Sequence, residues 1–543
     1  MRTRQQRWSG RLAGAGVALC VGVAGGAGAE ALTVDVTGFE VKGQTLLPEA
    51  AVAEHLRPFQ GPQTLDGLRA AAQALESRYR EAGYGSVLVQ LPEQVLQPSG
   101  PVRLQVVEGR LTEVFVHGNR YHATDNIVAS LPSLRKGETP NLIAVDANTV
   151  MVNDSPAKSL RVVFQPGQKQ GQVDALVRVE DQPPLRWTLS LDNTGRAATG
   201  AYRTALAYQN ANTLGGDEVL GLRLETSPTR IRDNLTVGTS LRVPLYGQLS
   251  ALEFSANYSD VKSATSRTPA GDLSFAGRGQ AVSVKYQQYL SRVGEGKQQI
   301  SVGWDWRQFL NDCSLGVFGA AGCGSAAASV GVRPLSLLYN LQSLGRYSAH
   351  VQWSANGLPG GRHGAQADFN AVRPGAKARY QVLRAGLSTV SALGEEGTLY
   401  WRNALQVTPH GLVPGEQFGL GGAGSVRAYL ERELVGDQGF STSVEWATPL
   451  KAVNQSPWWT QAWPTAPTLN AAAFADAGVL SNRLGTRCQA DRSTCQLVGV
   501  GLGFSLVQQG RWQGRLDLGH ALRNAASTQR GHNRLHFSFS YVL

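Results

Sequence analysis

Past Ala29 the 543-residue chain has no run of about 18 or more apolar residues, which excludes a helical membrane span. Catalytic signatures are missing as well. There is no Gly-x-Ser-x-Gly, no His-Glu-x-x-His, and the nine histidines are scattered, so the residues suggest no enzyme and no cofactor. Charge is sparse, at 17% of residues, and four of the arginines behind the net +11 (Arg2, Arg4, Arg7 and Arg11) crowd the first residues. The remaining excess is modest and comes with no nucleic-acid-binding motif, so a nucleic-acid partner is not expected. Cysteine is scarce too, with only five in the chain.

Those four arginines, the apolar Leu12 to Gly26 and the small-x-small Ala27-Gly28-Ala29 make residues 1–29 a cleavable signal peptide. Cys20 goes with it, and the preceding Leu19 argues against lipidation. The other cysteines form two close pairs, Cys313 with Cys323 and Cys488 with Cys495. In an oxidising compartment such pairs read as loop-closing disulfides. A metal site is the rival reading, but neither pair has CxxC spacing or a neighbouring histidine, so no metal is assigned.

The first third of the mature chain reads as α+β. Leu32 to Phe39 is strand-like, Pro48 to Leu56 starts a short helix, and Leu65, Leu68, Ala72, Leu75 and Tyr79 form one apolar stripe ending at Gly83. Strands are expected around Val87 to Leu91 and Val102 to Val107. The order then recurs: a strand from Leu111 to His117, helices near Asp125 to Leu131 and Leu142 to Val152, and strands over Leu160 to Phe164 and Val173 to Val179. Neither copy gathers a convergent set of titratable residues, which favours binding over chemistry.

From about Trp187 the texture becomes short segments of alternating apolar and polar residues, with Gly, Asn, Asp and Ser between them. In the last segment Leu535, Phe537, Phe539, Tyr541 and Leu543 alternate with His536, Ser538 and Ser540. An apolar outside with a polar inside is what a lipid-embedded barrel needs, because every backbone group must pair between strands. About sixteen such segments can be placed, an even number. Short connections at Pro244 to Gln248 and Gly394 to Gly397 alternate with long ones at Asp260 to Gly279, Asn311 to Arg333 and His410 to Asp437. Both cysteine pairs fall on the long-loop side. Lys451 to Thr468, with Trp458, Trp459 and Trp463, is long for its side and reads as an interfacial aromatic anchor or a partner surface.

One Gly-rich stretch stands apart: EQFGLGGAGSVRAY, Glu416 to Tyr429. Its Gly419, Gly421 and Gly424 spell a GxGxxG, but no strand-to-helix unit surrounds them, so a dinucleotide is not expected.

GFEVKGQTLL and VVEGRLTEVFVHGN, opening and joining the two α+β copies, resemble POTRA domains. With LDNTGRAATG (Leu191 to Gly200), EQFGLGGAGSVRAY and FADAG (Phe474 to Gly478), essentially the whole mature chain resembles the two-partner (type Vb) secretion transporters of the Gram-negative outer membrane. That family shares a superfamily with BamA-type assembly factors. The resemblance implies α+β periplasmic POTRA domains at 30–109 and 110–183, then an all-β transmembrane barrel over 184–543. It implies a loop, 410–437, folded into the lumen. In that loop Gly421, Gly422, Val426, Arg427, Ala428 and Tyr429 form the motif, and Phe474, Asp476 and Gly478 form its partner on the wall, with Arg427 reaching Asp476. The family's Gly after Arg is Ala428 here. It implies a monomeric pore that recognises, exports and helps activate a large partner protein of haemolysin or adhesin type, bound unfolded by the POTRA domains. An assembly factor that inserts other barrels is the alternative. Only Glu30 and Ala31 precede the first strand, so a plug helix there is not expected and resting closure is assigned to loops.

Overall fold

The computed structural model describes residues 33–543 apart from 96, 263–265, 359, 464, 490 and 491. The expected signal peptide, and Glu30 and Ala31 after it, lie outside the described residues.

The first compact unit comprises β1 (Val34–Lys42), α1 (Glu49–Leu56), β2 (Gly61–Gln63), α2 (Leu65–Glu81), β3 (Val87–Gln90) and β4 (Ser99–Glu108). Its sheet order is β2-β1-β4-β3, with β1 and β4 parallel because both helices intervene between them. Most of the stripe read from the sequence faces inward: Leu68, Ala72, Leu75 and Tyr79 are buried, Leu65 at the start of α2 is exposed, and Thr64 caps the helix by accepting the Gly67 N–H. The strand β2 was not expected. Three residues, one of them proline, are too few to show alternation and suit only a sheet edge.

In the second unit β5 (Arg110–His117), α3 (Thr124–Ala129), α4 (Leu142–Val152), β6 (Lys158–Pro166) and β7 (Gln172–Asp181) form a sheet of order β5-β7-β6 over a core of Leu111, Ile127, Val152, Ala175 and Val177.

This small sheet and a large barrel make one compact body. The barrel strands are β8 (Leu185–Asp192), β9 (Arg203–Asn210), β10 (Val219–Thr226), β11 (Asn234–Leu245), β12 (Ser250–Lys262), the short β13 (Ser266–Thr268), β14 (Gly271–Val293) and β15 (Gly296–Leu315). They continue with the short β16 (Val330–Val332), β17 (Leu335–Ser343), β18 (Tyr347–Asn356), β19 (Tyr380–Leu393) and β20 (Gly397–Val407). A small hairpin, β21 (Phe418–Leu420) with β22 (Leu434–Gly436), stands inside the next connection. The wall resumes with β23 (Gln438–Pro449), β24 (Thr468–Ser481), β25 (Thr494–Gln508), β26 (Trp512–Ala521) and β27 (Asn533–Val542). β27 pairs with β8 and closes the barrel, so sixteen long antiparallel strands form the wall and β13 and β16 lengthen it locally.

Alternation sets the two faces. Leu535, Phe539, Tyr541, Leu516, Leu518, Leu502 and Phe504 stand exposed on the outside, while His536, Asp517, Ser443 and Glu445 are buried within. Two long connections are more regular than expected. Within the expected loop Asp260 to Gly279, β12 runs to Lys262 paired with the 23-residue β14, and the short β13 pairs with the first residues of β14. β15 likewise runs on to Leu315 before a 3-10 segment and β16.

The small sheet is fastened to the short-turn rim of the barrel. The Lys158 ammonium donates to Asp217 (2.6 Å) and Asn126 (2.8 Å), and the Tyr246 hydroxyl donates to Asp217 (2.7 Å). Burial pushes the Lys158 amine below its usual range, and Asp217 offsets this in part. Beside this pair, Asp154 accepts from Tyr289, Gln299 and Lys297, and Val150 and Met151 of α4 pack on Tyr289, Tyr246 and Leu249.

The long connection after β23 folds into α6 (Lys451–Asn454) and α7 (Pro457–Gln461). Its rings continue onto the outer wall: Trp459 to Trp463 at 6.2 Å, Trp463 to Trp512 at 5.8 Å, Trp512 to Phe539 at 6.1 Å. That continuity with lipid-facing strands supports the anchor reading over the partner surface.

Candidate functional site: the loop inside the barrel

The connection from β20 to β23 enters the lumen from the long-loop end, and the β21–β22 hairpin stiffens its two legs. Leu420, Val426, Ala428, Tyr429 and Leu434 pack against Leu480, Leu497 and Ala521 of the inner wall. Gly421 and Gly422 take φ of 103° and 98°, which glycine adopts without the cost a side chain incurs. At Gly421 a Cβ would also meet the Leu430 carbonyl oxygen at 2.4 Å.

Beyond these glycines the chain turns Arg427 down the wall. Asp476 sits five residues inside Ser481, the outer end of β24, a path of roughly 16 Å along the tilted strand at ~3.3 Å per residue. The two side chains meet in a fork. Arg427 Nε donates to one Asp476 oxygen and Nη2 to the other, both at 2.8 Å, and the Arg427 backbone N–H adds a bond at 3.0 Å. The remaining donors are also satisfied, Nη1 by Glu445 and Nη2 by the Ser443 hydroxyl at 3.2 Å. The guanidinium lies 3.4 Å from the ring centre of Phe474, a cation–π contact. Only 2% of Arg427 is exposed, and it is the largest fully buried side chain among the described residues.

Thus Arg427, Phe474 and Asp476 are brought together, and Gly478 lies under Leu420, where a Cβ would come within 2.6 Å of the leucine side chain. Tyr429 braces the other side, its hydroxyl donating to the carbonyls of Val498 and Arg523, both at 2.9 Å. Ala428 has no positive φ, so the methyl in place of glycine strains no backbone. Room for it comes from the wall. A Cβ on Gly499 would stand 2.7 Å from the Ala428 methyl, and one on Gly519 would stand 2.9 Å from its Cα. Both cysteine pairs, Cys313–Cys323 and Cys488–Cys495, are disulfides.

Several members of this cluster were not expected. Arg515 donates to Glu445 and to Asp517, and His536 Nε2–H donates to the Arg427 carbonyl at 2.7 Å. The alternations in FSTSVEW (β23) and RLDLGHA (β26) put Glu445 and Asp517 on polar faces. Their convergence on Arg427 needs the closed barrel.

At its base the loop is held by Asp437, which accepts from Arg373 and from the N–H groups of Leu412 (2.9 Å) and Arg483 (2.8 Å). Burial alone would raise this carboxyl, but the Arg373 guanidinium and those amides hold it below the usual carboxylate range.

A closed sixteen-strand wall with one loop pinned in its lumen is the geometry against which relatives are compared. The profile of the haemolysin secretion/activation proteins ShlB/FhaC/HecB matches residues 171–506, and that of the ShlB-type POTRA domain matches 34–109. The chain belongs to the ShlB/FhaC/HecB family. Within it, the heme/hemopexin transporter protein HuxB of Haemophilus influenzae is 25% identical over 215 residues, 39% of this chain and 37% of HuxB. The outer membrane transporter CdiB of Escherichia coli is 23% identical over 428 residues, 76% of this chain and 68% of CdiB. The match therefore spans little more than a third of HuxB. Solved structures of CdiB share the fold. The E. coli protein superposes with a TM-score of 0.77 at 20% identity, covering 95% of this chain and 92% of that one. The Acinetobacter baumannii protein gives 0.69 at 17% identity, covering 94% and 90%. This ShlB/FhaC/HecB member is an outer-membrane β-barrel, with its short-turn rim and POTRA units on the periplasmic side and its long loops outside.

Proposed function

We propose that this barrel is the export pore for one large secreted partner protein, as in two-partner secretion, and that it carries out no bond chemistry. The observation that carries the reading is the loop pinned in the lumen by charged groups. Each contact of Arg427, Glu445 and Asp476 can be replaced by water or by a passing polypeptide when the loop withdraws. Chemistry of this kind suits a passage that opens.

The POTRA units would catch the partner unfolded by strand addition. β2 and β3 are the edges of the first sheet, and β5 and β6 those of the second, so each offers unpaired backbone to an extended chain. Folding outside the cell would give direction, since strand pairing there removes the chain from the pore. The barrel would act as a monomer. The name HuxB speaks of heme/hemopexin transport by that protein; the partner here is identified only by class, a β-rich exoprotein.

The test is secretion of a candidate partner in cells with and without the gene, comparing periplasm with medium. Loss from the medium alone, with other barrels assembled normally, is the expected result. General failure of barrel assembly would install the assembly-factor reading instead. An Arg427→Ala protein with normal level and heat-modifiable mobility that still secretes would reduce the loop contact to a stiffener.

A further inference from the structure

Two external loops frame a cleft that the export reading does not use. It has a volume of about 640 Å³ and is lined by Arg492, Arg523 and Arg530 together with Gln489, Gln496 and Leu522. No carboxylate is among its described lining residues.

Its position says which anion it suits. Val500, Leu502, Leu516 and Leu518 are exposed on the outer face of β25 and β26 and make an apolar strip, which His520 interrupts before Leu522, one residue past β26. Leu522 also lines the cleft. The arginines therefore begin where the lipid-facing surface stops, at the external end of the wall. A group bound there would keep acyl chains against the leucines and its head among the guanidinium groups. Arginine forks match phosphate oxygens, and basic pockets at a membrane rim bind anionic headgroups.

The cleft is also held in shape. The Cys488–Cys495 disulfide ties one lip to β25, and the Cys488 N–H donates to the Arg492 carbonyl at 2.9 Å. On the other lip the Arg530 N–H donates to Asn524 Oδ1 at 2.8 Å, and the backbone of Arg523 is bonded through both its N–H and its carbonyl to the Tyr429 hydroxyl. With the backbone held before the ligand arrives, only the arginine side chains are left to order on binding. The last contact also joins the cleft to the lumen loop.

We propose that this cleft binds the phosphorylated sugar headgroup of an outer-leaflet glycolipid, with Arg523 and Arg530 as its phosphate donors. The experiment uses full-length protein in detergent and native mass spectrometry. The probes are a bis-phosphorylated diglucosamine lipid, the same lipid after phosphatase treatment, and inorganic phosphate. The expected result is retention of the phosphorylated lipid, weakened roughly tenfold in the Arg523→Gln/Arg530→Gln protein, with the dephosphorylated lipid held weakly and equally by both. Ala526→Glu, which leaves both arginines and adds a carboxylate to the lining, should weaken retention as much. Heat-modifiable mobility checks that each variant is folded. Equal retention by wild type and both variants overturns the proposal. So does competition by inorganic phosphate at the lipid's own concentration, which would mark a soluble-anion site. An equal loss in Arg511→Gln, at the opposite rim, would reduce the effect to net charge and overturn it as well.

Discussion

Two buried ionic fastenings hold this barrel to something else, and they differ in what surrounds them. At the periplasmic rim Lys158 and Asp217 are 0% and 1% exposed at the side chain, and apolar Val150, Met151 and Leu249 flank the joint. In the lumen Arg427 is as deeply buried, with the Phe474 ring on one face, but it meets three carboxylates, Asp476, Glu445 and Asp517, with Arg515 supplying a second cation. Separating the first pair would strand two charges that must find new water. Separating the second would leave three carboxylates on a polar wall beside Arg515 and the partly exposed Arg402, ready to be hydrated. A dry pair behaves as a weld and a wettable one as a latch. On the export reading proposed above, the second POTRA-type sheet would stay fixed while the loop withdraws.

The largest effect that would break this contrast is on the latch. Arg427→Met keeps length and removes the fork, which should cost the closed position of the loop about 3–5 kcal/mol. The loop should become protease-sensitive while the barrel keeps its heat-modifiable mobility. Unchanged protease resistance at the loop would refute the latch. On the weld, Lys158→Met should loosen the periplasmic joint by a similar amount, about 3–5 kcal/mol. Adding Asp217→Asn should restore most of it. Asn tolerates the φ of 67° at this position, still accepts from Tyr246, and carries no charge. Limited proteolysis after β7 reads the joint. Failure of the double variant to recover would show that the weld needs its charges.

What the sequence made legible follows the range of the contacts. The α2 stripe, the α4 span and the alternation in the last strand are local, and each appears in the structure close to where it was read. Arg427 and Asp476 were legible because each sits in a motif that carries the family resemblance, one in the Gly-rich stretch and the other in FADAG. Glu445, Asp517 and His536 were not, since they lie on three separate strands and converge only when β23 to β27 curl around the loop. The weld was invisible for the same reason, as Lys158 and Asp217 face each other across the junction of a sheet and a turn. Asp260 to Gly279 was read as a loop because Gly271, Gly277 and Gly279 and the polar residues among them look like a connection, whereas backbone pairing carries β12 and β14 through much of it.

A smaller effect sharpens the fit of the latch. Gly519→Ala would place a Cβ 2.9 Å from the Ala428 backbone, and overpacking of this kind typically costs about 1–3 kcal/mol. Gly514→Ala, in the same strand, meets nothing nearer than 3.8 Å and should be silent. Trypsin cleavage after Arg427 or Arg432 measures the difference. Equal cleavage in the two variants would mean that the wall glycines do not set the loop's seat.

The smallest effect concerns acid. Asp437, at the base of the latch, has its folded carboxyl held below the usual range by Arg373 and by two backbone amides, against the pull of burial. A depressed carboxyl contributes stability that is present above its unfolded value, near 3.9, and is lost as pH falls through the lower folded value. Protection of the Leu412 and Arg483 amides, which donate to Asp437, should therefore change less than about twofold between pH 7 and pH 5, after correction for intrinsic exchange, and should fall only below about pH 4. Hydrogen exchange followed by mass spectrometry reads both peptides. Loss of protection already at pH 6 would mean that another group governs the base. The latch would then respond to mild acid, which the neutralisation of Asp437 by Arg373 argues against.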